Sequence, residues 1–347
     1  MSERELNERE KSILRSIVQQ FILTASPVGS RYIVKKYDIG FSPATVRNIM
    51  SDLEESGFID HPHTSAGRIP TDKGYRFYVD SLMEIPDLNQ SEKGMINKSF
   101  KHEVSETDDL LRIASKLMSQ ITKQIACVTY PKLDRGILQK LQLVSLSSTR
   151  LLIVLSIKSG LVKTITLEVK SEIKESQLSF VENLLNERLS GLTLDEIRKT
   201  FKDRFSDVSE GDKSIIRIFI DSVDKIFVDT KTDDRVFITG AKNVIQQPEF
   251  ENPEKFQSVI ELIEDKDIII HIMEKKDKGS DDIFISIGKE NLDQKLQEYS
   301  LITKEYNYGE TSGTLGIIGP KRMEYSKVVA IVDYIAKMLS DVLKSVK

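Results

Sequence analysis

Arg47 and Asn48 stand side by side in Ser42–Gly57, a segment that spells out a complete helix with its start and stop. An arginine forms two parallel hydrogen bonds to guanine and an asparagine two to adenine, so the pair has the chemistry of base reading. Ala44, Arg47, Asn48 and Ser51 recur at helical spacing and share one face. Val46, Ile49, Met50 and Leu53 take the opposite face and must point to a core. Ser42 is expected to cap the helix, Pro43 to fill its first position and Gly57 to supply the left-handed stop. Ser42 and Thr45, at the helix start, could reach bases or phosphates.

The neighbouring segments carry the supporting chemistry. Phe58–Pro62 and Arg68–Pro70 read as two short strands. Around their connection, His61, His63, Thr64, Ser65 and Arg68 offer small polar and basic groups suited to backbone or minor-groove contact. Lys73 and Arg76 follow and, with Arg68, are assigned to phosphate contact or to support of that loop. Arg31, Lys35 and Lys36 belong to a short preceding helix, Ser30–Tyr37, that would cross a DNA backbone; they are candidate phosphate contacts.

The elements that position these residues are equally well punctuated. Asn7 and Glu10 have capping-box spacing, and Ile13, Leu14, Ile17, Val18, Phe21 and Ile22 then form one wide apolar face. Ser26-Pro27 ends that helix. Thr71 caps a fourth helix with Tyr75, Tyr78, Val79 and Leu82 on its core side. Helix, short helix, turn, capped helix and hairpin, in that order, describe a winged helix-turn-helix. Such folds also serve as protein-interaction modules, so the order alone only moderately favours DNA.

Other chemistry is thin. His61-Pro62-His63 needs at least one more ligand to hold a metal, and no cysteine lies nearby, so no metal is expected. His102 and His271 are isolated, and no nucleophile, acid–base pair or catalytic residue is identified. Gly309, Gly313, Gly316 and Gly319 match neither phosphate-loop pattern, so no cofactor is expected. Cys127, in an apolar string, reads as a small buried hydrophobe. An enzyme is not expected.

Composition sets the frame. The chain has 347 residues, 39% hydrophobic and 30% charged, with only 17 Gly and 9 Pro, which excludes collagen-like and disordered classes. Its single cysteine excludes a disulfide framework. The first residues lack a signal-peptide core, and Leu151–Leu155 is far short of a membrane span; a cytoplasmic protein with no membrane partner is expected. Net charge is −4, and residues 1–80 hold 11 Lys and Arg against 11 Asp and Glu. DNA binding must therefore rest on the placement of particular side chains.

Past Pro86, residues 87–103 read as a polar linker. A helix is expected from Thr107 to about Ile125, then a strand to Tyr130. Leu138–Leu146, Arg150–Ile157 and Val162–Val169 alternate as an antiparallel meander, followed by helices at about Lys174–Leu189, Leu194–Phe205 and Asp212–Val228. Strand-like runs return at Val236–Thr239, Ile283–Ile287, Leu301–Tyr306 and Thr314–Ile318. A helix opens at Asn252-Pro253, and a long one from Tyr325 ends the chain. The fold class is α+β and multidomain.

Two stretches resemble one family. FSPATVRNIMSDLEESGFIDHPHTSAGRIPTDKGYRFYVD (Phe41–Asp80) and SGTLGIIGPKRMEYSKVVAIVDYIAKMLSDVL (Ser312–Leu343) look like HrcA, the heat-inducible transcription repressors of bacteria. The resemblance runs along essentially the whole chain, and HTSAGRIPTDKGYR (His63–Arg76) is its most specific part. It implies a winged helix-turn-helix DNA-binding domain (1–86), a linker (87–103), a GAF-like domain (104–135 and 235–347) and an inserted dimerisation domain (136–234). It further implies a homodimer on double-stranded DNA, at the inverted-repeat operator CIRCE upstream of chaperone operons. The chaperonin GroEL would support the active repressor until heat diverts it to unfolded clients. The main alternative is a regulator whose GAF-like pocket takes a small effector; an enzyme with an accessory winged helix, or a protein-interaction adaptor, are further rivals.

Overall fold

Asn7 caps the first helix, α1 (Glu8–Thr24), through a closed capping box. Its side-chain oxygen accepts from the backbone of Arg9 and Glu10 at 3.0 Å, and the Glu10 carboxylate accepts from the Asn7 N–H at 2.9 Å. Ile13, Leu14, Ile17 and Val18 are fully buried, each contributing about 1.5–3 kcal/mol relative to exposure. The helix ends where Ala25 turns left-handed. α2 (Ser30–Tyr37) and α3 (Pro43–Glu55) pack on α1. β1 (Ile59–Asp60) and β2 (Ile69–Pro70) form an antiparallel ribbon with Ile59 opposite Pro70. α4 (Asp72–Phe77) starts at a Thr71 cap and continues as one wider turn, Tyr78–Leu82, that buries Tyr78, Val79 and Leu82.

This computed structural model describes residues 5–37, 39–62, 67–101, 106–169, 174–208, 210–227, 236–274 and 282–345. Where a polar linker is expected, the chain forms α5 (Gln90–Lys101). Ile96 and Phe100, four residues apart, are buried on one side of it, which a count of polar residues does not register. α6 (Thr107–Thr122) leads into β3 (Ile125–Thr129), whose five residues are all buried.

The next stretch is the meander, β4 (Leu138–Ser147), β5 (Arg150–Ile157) and β6 (Val162–Glu168). It forms a three-stranded antiparallel sheet in that order, with Leu143 opposite Ile153 and Ile153 opposite Ile165. Four helices follow: α7 (Glu175–Leu189), α8 (Leu194–Arg204), α9 (Glu210–Asp221) and α10 (Val223–Phe227). α9 and α10 replace one expected helix; the chain breaks at Ser222, whose N–H bonds three residues back, to Phe219, at 3.1 Å.

The remaining elements are β7 (Val236–Thr239), α11 (Ala241–Ile245), α12 (Pro253–Glu264), α13 (Lys266–Glu274), β8 (Phe284–Ile287), β9 (Tyr299–Tyr308), β10 (Thr311–Pro320) and α14 (Tyr325–Ser345). Five strands form one sheet in the order β7-β3-β10-β9-β8, with β10 antiparallel to β3 and β8 antiparallel to β9. Val328, Ile331, Val332 and Ile335 of α14 are buried. The chain is thus α+β. It divides into two units, one of Met1–Val128, Phe237–Lys304 and Leu315–Lys337, the other of Thr129–Val236, Glu305–Thr314 and Met338–Lys347. Among the described residues, no helix is long and apolar enough to cross a membrane.

In the second unit, Leu141, Leu143, Ile153, Leu155, Ile165 and Leu167 point inward, while Val144, Leu146 and Val162 are exposed. α7 closes the free edge of β4. Asn186 accepts from the Leu141 N–H at 2.8 Å and donates to the Leu141 carbonyl at 2.7 Å, and Glu182 accepts from the Leu143 N–H at 2.8 Å. An open strand edge is a template for unwanted pairing, and these side chains occupy it.

Candidate nucleic-acid interface

α3 has two chemically distinct faces. Val46 and Leu53 are fully buried and Ile49 and Met50 nearly so, while Ala44, Arg47, Asn48 and Ser51 are exposed on the other side. Ser42 Oγ accepts from the Thr45 N–H at 3.1 Å and lies 3.0 Å from Thr45 Oγ1, so the two hydroxyls fix the helix start together. Pro43 takes the first helical position. Gly57 sits just past the end at φ +76°, where a side chain would strain the backbone. Among the described residues, none pairs with Arg47 or Asn48. The exposed Asp52 and Glu55 give the C-terminal half of the helix negative charge, so the N-terminal half is the part that suits a polyanion.

On α2, Arg31 and Lys35 are exposed and likewise have no partner among the described residues. Lys36 is held: it donates to Gln20 Oε1 at 2.6 Å and lies over the rings of Tyr32 and Tyr37.

The basic residues around the ribbon are wired into the protein. His61 Nδ1 hydrogen-bonds Glu54 on α3, and Arg68 Nη2 pairs with the other Glu54 oxygen at 2.6 Å. One carboxylate thereby ties both strands of the ribbon to α3. Lys73 donates to the Ser56 carbonyl at 3.0 Å and lies 4.4 Å from the centre of the Phe58 ring. Arg76 donates to Glu290, to Asp80 at 3.1 Å and to the Ile285 carbonyl at 2.7 Å. The Glu290 carboxylate, followed by Asp80, raises the guanidinium pKa above its ordinary value despite partial burial. Arg68 and Lys73 thus have partners beside the ribbon, and Arg76 has its partners at Asp80, Ile285 and Glu290. His63, Thr64 and Ser65 lie outside the described residues.

The rest of the signature stretch has the same inward character. Val28 and Arg68 exchange two backbone hydrogen bonds at 2.9 Å, adding a bridge beside the ribbon. Thr71 Oγ1 donates to the Gly57 carbonyl at 2.7 Å and accepts from the Gly74 N–H at 3.1 Å. A Cβ at Gly74 would stand 2.0 Å from the Phe58 carbonyl oxygen, so only glycine lets α4 approach the strand. Asp72 accepts from the Lys289 N–H at 3.0 Å and pairs with Lys321 at 3.0 Å. Glu54, Asp72 and Glu290 are the residues that sequence reasoning missed here. Their partners are brought together only by folding, and no local spacing marks them.

The metal question has a geometric answer. Glu54, Asp60 and His61 place one ligand atom each within 4.8 Å of one another, so the carboxylates lacking from the His-Pro-His reading are present. The Arg68 guanidinium already holds the second Glu54 oxygen, and its positive charge opposes a cation there. The group is a brace between α3 and the ribbon. Elsewhere, Gly313, Gly316 and Gly319 lie within β10 and Gly309 turns the chain ahead of it, so these glycines form no phosphate loop. Cys127 is fully buried in β3, and burial pushes its thiol up to about 12.

Comparison with known proteins gives these features a context. The family model for the HrcA protein C terminal domain matches residues 108–329. The heat-inducible transcription repressor HrcA of Chlorobium phaeobacteroides (strain BS1) is 41% identical over 345 residues, 97% of this chain and 98% of its own. That of strain DSM 266 / SMG 266 / 2430 is 42% identical over 357 residues, all of both chains. A hypothetical protein solved by crystallography shares the fold, with a TM-score of 0.62 at 24% identity over 99% of this chain and all of that one. These relatives are regulators of transcription rather than enzymes. The chain belongs to the HrcA family of heat-inducible transcription repressors.

Proposed function

We propose that this protein, as a cytoplasmic homodimer, binds an inverted-repeat operator of the CIRCE type upstream of chaperone operons. It blocks their transcription until heat stress, and the chaperonin GroEL supports the active repressor. The exposed face of α3 carries this reading. Arg47 and Asn48 sit on it without partners among the described residues, buttressed by four buried side chains behind them. In this reading residues 1–86 form a winged helix-turn-helix, and the N-terminal half of α3 enters the major groove. Arg47 and Asn48 read base edges, Ala44 meets a thymine methyl, and Ser51 adds a polar contact. Ser42 and Thr45 lie near the backbone, with Arg31 and Lys35 on phosphates. His63, Thr64 and Ser65 are assigned to backbone or minor-groove contact.

The balanced charge of the first 80 residues makes a single DNA-binding head a weak binder. Two heads on a two-fold axis match two half-sites, and linking them raises the effective concentration of the second. Dimerisation is assigned to the insertion, 136–234, within a GAF-like domain of 104–135 and 235–347. Exposed Val144 and Val162 on the outer face of its sheet, with half-buried Leu152 and Val154 between, support that assignment. The test is a mobility shift at stated salt on inverted-repeat and scrambled duplexes, with and without chaperonin. Preference for the inverted repeat that chaperonin strengthens is expected; equal retention of both duplexes overturns the reading.

A further inference from the structure

Residues 1–80 contain as many carboxylates as cations, so a polyanion meets positive charge there chiefly where a cation is left unpaired. Most of the described cations are engaged. Lys11 pairs with Glu8 at 2.8 Å and Arg15 with Glu84 at 3.8 Å. Lys36, Arg68, Lys73 and Arg76 are held by Gln20, Glu54, Ser56 and Glu290. Arg9, Arg31, Lys35 and Arg47 have no side-chain hydrogen bond or ion pair among the described residues. The last three belong to the DNA-binding face proposed for α2 and α3; Arg9, in the first turn of α1, does not.

The place of Arg9 does not suit a cation without a partner. A helix start carries partial positive charge. The acidic groups beside it on α1 are engaged elsewhere, Glu8 by Lys11 and Glu10 by the Asn7 N–H at 2.9 Å. The guanidinium lies instead over the ring of Phe41, 5.3 Å from its centre. Arg9 is exposed and Phe41 half-buried, so the ring serves as a plate beneath the charge. An arginine laid on an aromatic face keeps the N–H donors around its rim free for a second partner. Phe41 adjoins Ser42, the cap of α3, which sets the guanidinium beside the start of that helix.

We infer that Arg9 grips a phosphate of the DNA backbone at the rim of the groove entered by α3, with Phe41 holding the guanidinium flat. Its planar fork matches two phosphate oxygens, which an ammonium does not. Such a contact carries no sequence information; it fixes the register and orientation of the protein on the duplex. The assignment rests on the proposed reading of α3 as the helix that meets DNA. It adds α1 to the contact surface and divides the labour: Arg47 chooses the sequence, and Arg9 holds any duplex.

The test is equilibrium binding of the full chain to inverted-repeat and scrambled duplexes over a salt series, with R9Q, R9K and R15Q beside the parent. R9Q should weaken both duplexes by the same factor, about tenfold. It should also lower the slope of log affinity against log salt by about 0.9 for each DNA-binding head engaged. R9K should keep the parent's slope but bind severalfold more weakly, since the fork is lost. R15Q removes one charge from the same helix, at its pair with Glu84, and should leave the slope as it is. R9Q should unfold close to the parent's temperature, because a ring contact at an exposed site is weak. An unchanged slope in R9Q overturns the proposal, as does an equal fall in R15Q, a loss confined to the inverted repeat, or an R9K that loses the slope as R9Q does. A parent that holds both duplexes equally overturns the operator reading and leaves the slopes to decide for or against Arg9; a parent that binds neither overturns both.

Discussion

Arg76 and Glu290, 214 residues apart in the chain, meet in a two-point pair: Nε donates to Oε1 at 2.8 Å and Nη2 to Oε2. With Asp72, which binds Lys289 and Lys321, this pair fastens α4 to the body of the first unit. Arg76, for which the sequence offers phosphate contact or support of the loop, thus joins α4 to Glu290.

R76A should therefore lower stability by about 1–2 kcal/mol, read by denaturant unfolding. Combination with E290Q should cost less than the sum of the two single changes, because the pair acts as a unit. R76K should not restore the wild-type value, since an ammonium cannot reproduce a two-point fork. Additive losses would show that the pair contributes nothing.

R47A should leave unfolding unchanged, because the side chain is exposed and has no partner among the described residues. Discrimination between operator and random DNA should fall by about 1–3 kcal/mol, roughly ten- to a hundredfold. Competition binding at fixed salt measures it, and an unchanged ratio removes Arg47 from base reading.

N186L should leave both polar groups of Leu141 unpaired and cost about 1–3 kcal/mol. It should also expose the β4 edge, so light scattering on heating should rise earlier than in the parent. A variant as stable and soluble as the parent would contradict the edge-closing role.

V144D places a charge on the outer face of the meander, where Val144 is 45% exposed. Thermal unfolding of the chain should change little. Sedimentation should show monomers, and operator affinity should fall by at least about a hundredfold through loss of avidity. A dimer with full affinity would move the interface elsewhere.

Cys127 should resist iodoacetamide at pH 8. Its thiol is pushed up from 9.0 to about 12, so almost no thiolate exists in the folded state, and burial blocks access. Alkylation should follow unfolding in time; fast labelling of native protein would refute the placement.

Sequence reading succeeded where structure is written locally. Asn7, Ser42, Thr71 and Asn252 cap helices within three residues of themselves, and hydrophobic periodicity alone separates the two faces of α3. It failed where local signals mislead. No element is expected at Lys266–Glu274, where Asp265 accepts from the Ile268 N–H at 3.1 Å and α13 forms. In α5 the polar majority hid the Ile96–Phe100 contact surface. At the site, face and exposure were readable, whereas the partners of Arg68, Lys73 and Arg76 were not, since Glu54, Ser56 and Glu290 are joined to them only by tertiary structure.

The inward wiring of Gly67–Arg76 separates two properties that the linear sequence runs together. The stretch that best advertises kinship is tied inward, whereas the face proposed to choose the target lies a few turns earlier, on side chains of which Arg47 and Asn48 have no partner among the described residues. Retargeting by exchange of Ala44, Arg47, Asn48 and Ser51 alone should therefore yield repressors with new addresses and an undisturbed chassis.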